Sequence, residues 1–395
     1  MNNNSNNIRI GNLFGIPFFI NPSWFFVLGL VTLELGYDFA RYPEIGGIFP
    51  WLLGLFGALL LFASVVAHEL GHSFAAIAQG IQVKSITLFL FGGLATLEKE
   101  SETPIQSLLV AIAGPLVSVL LFIVFTVVEV NVPLAPSING VVALLAYINL
   151  VLALFNMIPG LPLDGGNVLK AIVWKITGNP NKGIIFAGRV GQFFGWCAVG
   201  IGILGVLGIS QVGSFWTLLI GWFLLQNAGM AAQSATVQDK LDHYTAEDAV
   251  IADSPIIPAD LTIREFVNDF VIGKKQWKKF LVVNENNQLQ GNISSDDLKQ
   301  IATSQWNEVL VSELTQPLEK ITTIPYDTSL LEVVKLIETQ QIKEEIVVVR
   351  EEQVVVGLLD KISIFNLLQQ KALEKAKGNQ QNEETEPNKV DLLLK

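Results

Sequence analysis

The 395-residue chain has little of three things: cysteine, histidine and, over its first 235 residues, charge. Its single cysteine, Cys197, excludes an intrachain disulfide framework. Residues 1–235 hold 8 Lys/Arg and 9 Asp/Glu, whereas residues 236–395 hold 17 and 27. Because the second block is acidic, it argues against nucleic acid as a main partner. With a mean hydropathy of +0.48, the chain is predicted to have a membrane half followed by a soluble half.

Long apolar runs fill the first block. A helix needs about 20 apolar residues to span a bilayer. We predict six such helices, near residues 14–33, 56–79, 107–129, 138–157, 186–207 and 215–235. Buried helices of a large soluble protein are the weaker alternative, since so many long apolar runs occur in series. The first run is not predicted to be a cleaved signal peptide, because it lacks a basic segment before it and a small-residue site after it.

Basic residues near the span ends predict the orientation, since they favour the cytoplasmic side. On one side of the predicted bilayer lie Arg9, Lys84, Lys99, Lys170, Lys175, Lys182 and Arg189, and the opposite loops hold only Arg41. We therefore predict an integral protein of a prokaryotic or similar cell membrane, with both termini and the soluble half in the cytoplasm.

The sequence HELGH lies within the second predicted span, with His68, Glu69 and His72 almost alone among apolar residues. Residues four apart share one face of a helix, so both imidazoles can reach one cation while Glu69 lies beside them. The alternative is a chance match on a buried helix with hydrogen-bonded core histidines. Ionisable groups at membrane depth are costly unless they are paired or functional, and two of only three histidines lie here, which favours a metal site.

Catalytic zinc sites usually have three protein ligands, so a third ligand is needed. His243 lies in a polar segment beyond the last span, and Cys197 lies mid-span without polar neighbours. Asp164 is the best candidate, because it follows span four where proline and glycine interrupt the helix, and irregular backbone at that depth is tolerated where it lines a cavity. The alternative for Asp164 is a helix cap in a polar loop.

Between spans two and three, residues 85–91 alternate and are rich in strand-forming residues, and Gly92-Gly93 then breaks the pattern. An ordinary hairpin is the simplest interpretation. Next to an active site, the same segment is a candidate edge strand that pairs with an extended peptide.

Four motifs together resemble the site-2 protease family of intramembrane metalloproteases: HELGH, FGGLA, AGPLVS at residues 113–118 and NMIPGLPLDGG at residues 156–166. The resemblance implies a polytopic α-helical membrane protein with a small membrane-associated β-strand element. It also implies one zinc ion per chain and cleavage of a substrate's transmembrane segment. Gly71, Gly114 and Pro115 within these motifs are interpreted as helix-packing residues rather than catalytic ones.

The resemblance also assigns roles to individual residues. It implies that Glu69 is the general base and that Asn156 polarises the scissile carbonyl or stabilises the oxyanion. The implied zinc ligands are His68, His72 and Asp164. The strand segment with Phe91, Gly92 and Gly93 is implied to present the substrate.

The soluble half repeats one pattern of short apolar strands and amphipathic helices. Residues 262–267, 279–284 and 291–298 align with residues 329–334, 345–350 and 357–364. This resembles a tandem pair of cystathionine-β-synthase (CBS) domains, which are α/β modules that often bind adenine nucleotides and often pair subunits. The resemblance implies ribose contacts at Ser294 and Asp297, whereas Asp360 and Ser363 stand in reversed order in the second copy. An adenine nucleotide and a homodimer through the CBS domains are thus candidate cofactor and partner.

These patterns divide the chain as follows: a polar tail at 1–11, a transmembrane zinc protease domain at 12–235, a linker at 236–244, CBS domains at 245–302 and 308–370, and a disordered tail at 371–395. The predicted function is intramembrane cleavage of membrane-protein substrates. The alternatives are a metal-binding scaffold or CBS-gated transporter that does not cut, and an ion channel. Glu69 favours the protease, because a site that only binds metal has no need of that carboxylate.

Overall fold

The structure is a computed structural model that describes residues 7–41, 46–90, 92–134, 136–272, 277–316, 321–340, 342 and 345–385. The chain divides into two compact units, Met1–Thr236 and Val237–Lys395.

Helices dominate the first unit, together with one sheet. The helices are α1 (Pro22–Phe39), α2 (Phe49–Ala78), α3 (Pro104–Asn131), α4 (Pro136–Asn156), α5 (Asp164–Thr177), α6 (Pro180–Val206) and α7 (Phe215–Asp242). Within the described residues, five segments are long and apolar enough to cross a membrane: Phe49–Ala78, Pro104–Asn131, Ile138–Asn156, Pro180–Val206 and Phe215–Asp242. The polytopic helical fold is therefore confirmed, with five such helices rather than six.

The first predicted span is wrong in its boundaries. Residues 14–20 belong to a hairpin of strands β1 (Ile8–Leu13) and β2 (Ile16–Ile20), which turns through Phe14 and Gly15 at φ values of 52° and 85°. Helix α1 begins only after Asn21, whose side chain accepts a hydrogen bond from the N–H of Ser23. The apolar run over 14–33 thus combines a strand and the start of a helix, which hydropathy alone does not separate.

The sheet of the first unit has four strands in the order β1-β2-β3-β4, where β3 is Val83–Phe89 and β4 is Gly92–Leu97. Strand β2 pairs in parallel with β3, and β4 pairs antiparallel with β3. The predicted strand over 85–91 is thus shifted, and Gly92 and Gly93 begin β4 rather than ending a strand. The β-element is also larger than the single hairpin we predicted.

Glycines allow the helices of the first unit to approach closely. A Cβ built on Gly54 of α2 would lie 2.5 Å from the carbonyl oxygen of Thr32 in α1. A Cβ on Gly71 of α2 would lie 2.8 Å from the carbonyl oxygen of Ala113 in α3, which confirms Gly71 as a close-packing residue. Helix α3 is held at its start by a capping box between Thr103 and Gln106.

The second unit repeats one strand arrangement. Its elements are β5 (Ile256–Pro258), α8 (Ile263–Phe266), β6 (Lys279–Val283), β7 (Leu289–Ser294), α9 (Val311–Leu314), β8 (Thr323–Pro325), α10 (Leu330–Thr339), β9 (Ile346–Val349), β10 (Val355–Leu359) and α11 (Lys361–Thr385). Strand β5 pairs in parallel with β6, which pairs antiparallel with β7; β8, β9 and β10 repeat this order. The predicted internal repeat is thus present in the described residues.

Each copy of the repeat has its own apolar core. In the first copy, Phe266 is fully buried and packs edge-on against Phe280, with ring centroids 4.9 Å apart. Aromatic pairs of this kind contribute packing energy beyond their buried area.

Phe266→Ala is expected to lower the opening free energy of β6 and β7 by about 3–5 kcal/mol, because truncating a buried phenylalanine leaves a cavity. Hydrogen exchange of the full chain, read on β6 and β7, measures this loss. Phe365→Ala on α11, where the side chain is 63% exposed, is the matched control and should change the value by less than about 0.5 kcal/mol. Unchanged protection in Phe266→Ala would contradict this account of the core.

The structure differs from the predicted tails and linker. Residues 8–11 lie in β1 rather than in a polar tail, and α7 continues to Asp242 through most of the predicted linker. Helix α11 extends to Thr385 where disorder was predicted, and Lys371 forms an i,i+3 ion pair with Glu374 there. Residues 1–6 and 386–395 lie outside the described residues.

Candidate metal centre and active site

His68 and His72 lie one turn apart on α2, and both are buried. Their Nε2 atoms are 3.3 Å apart. The imidazoles therefore direct the same ring nitrogen towards one point, as the four-residue spacing predicts.

The other nitrogen of each imidazole contacts helix α3. His72 Nδ1 lies 2.7 Å from the carbonyl oxygen of Val110, which can only accept, so Nδ1 carries a proton and Nε2 is the nitrogen left to bind a metal ion. His68 Nδ1 lies 2.9 Å from the hydroxyl oxygen of Ser118, which is fully buried. Such outer contacts fix the tautomer and the ring orientation of metal-binding histidines.

Asp164, at the start of α5, contacts both histidines of α2. Its Oδ2 lies 2.9 Å from His68 Nε2, and its Oδ1 lies 3.3 Å from His72 Nε2. The three potential ligand atoms all lie within 4.8 Å of one another. The structure thus brings together three residues that are up to 96 positions apart in the sequence.

Two glycines place Asp164 at the start of α5. A Cβ on Gly165 would lie 2.4 Å from the carbonyl oxygen of Met157, and one on Gly166 would lie 2.2 Å from the backbone nitrogen of Leu161. Any larger residue at either position would push α5 away from the preceding segment. The glycines of LDGG therefore set the depth at which Asp164 enters the site.

The donor set fits a zinc ion. Two neutral imidazole nitrogens and one carboxylate oxygen are the ligands of many catalytic zinc sites, in which the fourth position stays open for water or substrate. The ligand atoms of all three residues are turned towards one another at the distances given above.

Glu69 follows His68 on α2 and lies against strand β4. A Cβ built on Gly93 would lie 2.4 Å from Glu69 Cγ and 3.0 Å from Glu69 Oε1. The carboxylate also faces the backbone N–H of Ala95. Glu69 therefore lies between the metal-binding cluster and the edge strand, and a side chain at position 93 would force the carboxylate to move.

Gly114 of α3 forms the wall next to both imidazoles. A Cβ at this position would lie 2.2 Å from His72 Nε2 and 2.8 Å from His68 Nε2. Our interpretation of Gly114 as a helix-packing residue was therefore incomplete, because its missing side chain also makes room for the ligand nitrogens. In the sequence, the position of Gly114 in the motif AGPLVS was the signal that could have indicated this role.

A cavity of ≈ 1160 Å³ surrounds these groups. It exceeds the usual volume of a small-molecule site. Helix α7, which our sequence analysis left without a role, contributes Phe223 and Asn227 to its wall. Of the predicted site residues, the cavity is lined by His68, Glu69, Gly92, Gly93, His72, Asn156 and Asp164. Phe91 lies outside the described residues.

Comparison with known proteins shows the family of the chain. The family model of Peptidase family M50 matches residues 56–135 and 133–197. The chain is 60% identical, over 93% of its length and 97% of the relative, to sll0528 of Synechocystis sp., whose name places it among the zinc metalloproteases. The chain belongs to the site-2 protease family. A CBS domain model matches residues 311–370.

Two further comparisons are with proteins of the archaeon Methanocaldococcus jannaschii. This site-2 protease family member is 32% identical to the zinc metalloprotease MJ0392 of Methanocaldococcus jannaschii, over 72% of this chain and 77% of the relative. The solved structure of the site-2 protease from Methanocaldococcus jannaschii is 30% identical, covers 57% of this chain and 95% of that one, and has a TM-score of 0.43.

Ser118 ends the AGPLVS motif of this family member, and the sequence alone assigned it no role of its own. We expect Ser118→Ala to weaken zinc binding about 10- to 100-fold, because His68 loses the partner that holds its ring. Competition with a chelator of known affinity measures the change in the full chain. Ser101→Ala, in a loop at the cavity wall, is the matched control and should bind zinc as the wild type does. Equal zinc affinities of Ser118→Ala and wild type would contradict the assigned contact.

The second unit of this site-2 protease holds a separate cavity of ≈ 390 Å³. Its wall includes Asp248, Trp277, Asp360 and Ser363. Asp360 and Ser363 bond to each other, since the Ser363 N–H donates to Asp360 Oδ1 and the Asp360 N–H donates to Ser363 Oγ. The cavity thus lies at the reversed pair of the second copy.

The predicted ribose contacts of the first copy do not line this cavity. The N–H of Ser294 donates to Asp297 Oδ2 at 2.8 Å, and the Ser294 hydroxyl donates to the carbonyl of Lys278. Nearby, Asp296 forms an ion pair with Lys299, and the hydrogen bond from Lys299 lowers the pKa of the Asp296 carboxyl. Nucleotide binding at Ser294 and Asp297 stays a prediction.

Proposed function

We propose that this protein is an intramembrane zinc endopeptidase that hydrolyses a peptide bond within the transmembrane segment of a membrane-protein substrate. The observation that carries the proposal is the position of Glu69, which lies between a group of three potential zinc ligands and the edge strand β4. A site that only stored metal would have no use for a carboxylate at that place.

In this proposal His68, His72 and Asp164 hold the zinc ion. When bound, zinc supplies a Lewis acid that makes water a stronger nucleophile near neutral pH and polarises a carbonyl. The hydrogen bond from His72 Nδ1 to Val110, and the contact of His68 Nδ1 with Ser118, hold both rings with Nε2 towards the ion. The two rings are therefore held in an orientation that suits metal binding.

Glu69 acts as general base and then as general acid. Its carboxylate takes a proton from the attacking water and passes it to the nitrogen of the leaving amine. The water oxygen forms a bond to the carbonyl carbon, and the carbon–nitrogen bond breaks. The contact with Gly93 places the Glu69 side chain against strand β4.

Strand β4 is the proposed support for the substrate. It ends the sheet order and pairs with β3 on one side, so its second edge has no strand partner among the described residues. An extended peptide that paired with this edge would lie beside Glu69, which already faces the N–H of Ala95. A helical substrate must unwind to do so, and helix-weakening residues near the scissile bond reduce that cost.

Asn156 is the proposed donor to the scissile carbonyl or the oxyanion. One of its amide N–H groups donates to the carbonyl of Leu152 at 3.0 Å. An asparagine amide has two N–H groups, so the second is available towards the cavity that Asn156 lines. Stabilising negative charge on that oxygen is what an oxyanion donor does.

We also propose that both termini and the CBS unit lie in the cytoplasm, because the basic loop residues favour that side. Regulation of cleavage by the CBS unit, pairing of two chains through it and binding of an adenine nucleotide belong to the same proposal. The cavity beside Asp360 and Ser363 offers a place for a ligand. The boundaries 245–302 and 308–370 of the two CBS copies stay predictions.

The test is cleavage by the purified full chain, loaded with zinc, of a single-span substrate in liposomes. One substrate carries Gly-Pro within its span, and its matched control carries Ala-Leu there. We expect mass spectrometry to find one cut within the weakened span and slower cleavage of the control. Cuts confined to the flanking soluble segments would contradict an intramembrane protease, and zinc-loaded protein that cuts neither substrate would favour the scaffold.

A further inference from the structure

Three basic side chains converge on the wall of the active-site cavity from three different elements. They are Arg9 of β1, Lys84 of β3 and Lys170 of α5. Beyond Glu69 and Asp164, the described residues of the cavity wall include one carboxylate, that of Glu100. The wall outside the metal-binding group is therefore cationic.

These cations are not neutralised within the described residues. The ion pairs of that part of the chain include neither Lys84 nor Lys170. Arg9 donates to the neutral side chain of Asn12 at 3.0 Å. Arg9 and Lys84 are exposed and Lys170 is half-buried, so all three charges can meet a ligand in the cavity.

Helix α5 gives the distance from the metal-binding group to Lys170. Asp164, Asn167 and Lys170 all line the cavity at a spacing of three residues. Six residues of helix rise about 9 Å. Lys170 thus lies about that far along α5 from the carboxylate that holds the metal.

Strand β4 gives a second distance along the cavity wall. Lys84 lies between the pairs Val83–Leu97 and Ser85–Thr96, whereas Gly93 contacts Glu69. From Gly93 to Leu97 the strand rises about 13 Å. A peptide extended along β4 from Glu69 would therefore reach the level of Lys84 after three to four residues.

We propose that these cations select substrates that carry acidic residues three to four positions from the scissile bond, counted towards the cytoplasmic flank of the spanning segment. This inference rests on the proposed function and adds the class of substrate. Most spanning segments carry Lys and Arg at their cytoplasmic ends, and these would be repelled. The cavity would thus favour the minority of segments with an acidic cytoplasmic flank.

Binding to the Glu69→Gln full chain tests the inference without cleavage. Three fluorescent single-span peptides carry Asp-Glu, Asn-Gln or Lys-Arg at the third and fourth positions beyond a Gly-Pro pair. In nanodiscs of neutral phosphatidylcholine, we expect the acidic peptide to bind about tenfold more tightly than the neutral one, and the basic one to bind more weakly. The preference should shrink between 50 mM and 500 mM salt, since salt screens exposed charges.

Charge reversal identifies the residues responsible. Lys84→Glu with Lys170→Glu should reverse the preference, whereas Lys175→Glu, an exposed lysine of α5 outside the cavity wall, should preserve it. Unchanged zinc content shows that each variant is folded. Equal dissociation constants for the three peptides, or a preference that survives the double reversal, would overturn the inference.

A further control separates substrate from lipid. If the peptides bind equally and the double reversal instead weakens the protein's association with phosphatidylglycerol vesicles, the cations bind lipid headgroups and the inference is wrong. Because peptide binding is read in the Glu69→Gln chain, it stays measurable whether or not the wild type cuts. Failure of the proposed function and failure of this inference are therefore distinguishable.

Discussion

Glu69→Gln is expected to lower the cleavage rate by about 10²- to 10⁴-fold while the chain still binds one zinc ion per molecule. Glutamine has nearly the same shape as glutamate but cannot accept the proton of the attacking water. The contact with Gly93 depends on the side chain's volume, which is kept, so the fold around the metal-binding group should not change. The His68, His72 and Asp164 side chains are untouched.

Cleavage of the Gly-Pro substrate and zinc content are measured on the same preparation. Glu98→Gln, which removes an exposed carboxylate outside the cavity wall, is the matched control and should cut at the wild-type rate. If Glu69→Gln cuts as fast as the wild type, Glu69 is not the base. If it loses zinc, its role is to maintain the metal site.

Gly114→Ala is expected to weaken zinc binding by at least about 100-fold. The new methyl group would lie 2.2 Å from His72 Nε2 and 2.8 Å from His68 Nε2, so both rings must move. Those rings are held by Val110 and Ser118 of the same helix that carries Gly114, which leaves them little freedom. Interiors packed this tightly accommodate an added carbon only through strain.

Competition with a chelator measures the affinity of Gly114→Ala. Gly200→Ala is the matched control, because Gly200 lies in α6 and a Cβ there meets nothing within 4 Å. The control should bind zinc as the wild type does. Wild-type zinc affinity in Gly114→Ala would show that the imidazoles do not hold the ion through their Nε2 atoms.

Local patterns in the sequence predicted the residues that the structure brings together at the metal-binding group. The four-residue spacing of His68 and His72 places both rings on one helix face, and helical geometry alone determines this. The position of Asp164 after an interrupted helix predicted that it could enter the cavity. The contacts of Ser118 and Gly114 depend on how α3 packs against α2. No local sequence pattern predicts that packing.

Hydropathy failed where an apolar run changes its secondary structure. Strand β2 and the start of α1 are both apolar, so the run over 14–33 resembled one spanning helix. The mixed sheet could not be predicted either, because β2 pairs with β3 across more than sixty residues of sequence. In the second unit, the strand repeat was predictable from its pattern, whereas the cavity at Asp360 depends on the packing of distant segments.

Titration of zinc into the chelated full chain, with cleavage of the Gly-Pro substrate as the readout, tests the central claim most directly. We expect the metal-free protein to be inactive and activity to rise in proportion to zinc up to one equivalent per chain. Asp164→Ala should bind zinc weakly and show no such rise at one equivalent. Full cleavage by the metal-free protein, or no cleavage by protein that holds one equivalent of zinc, would contradict the proposal of a zinc endopeptidase.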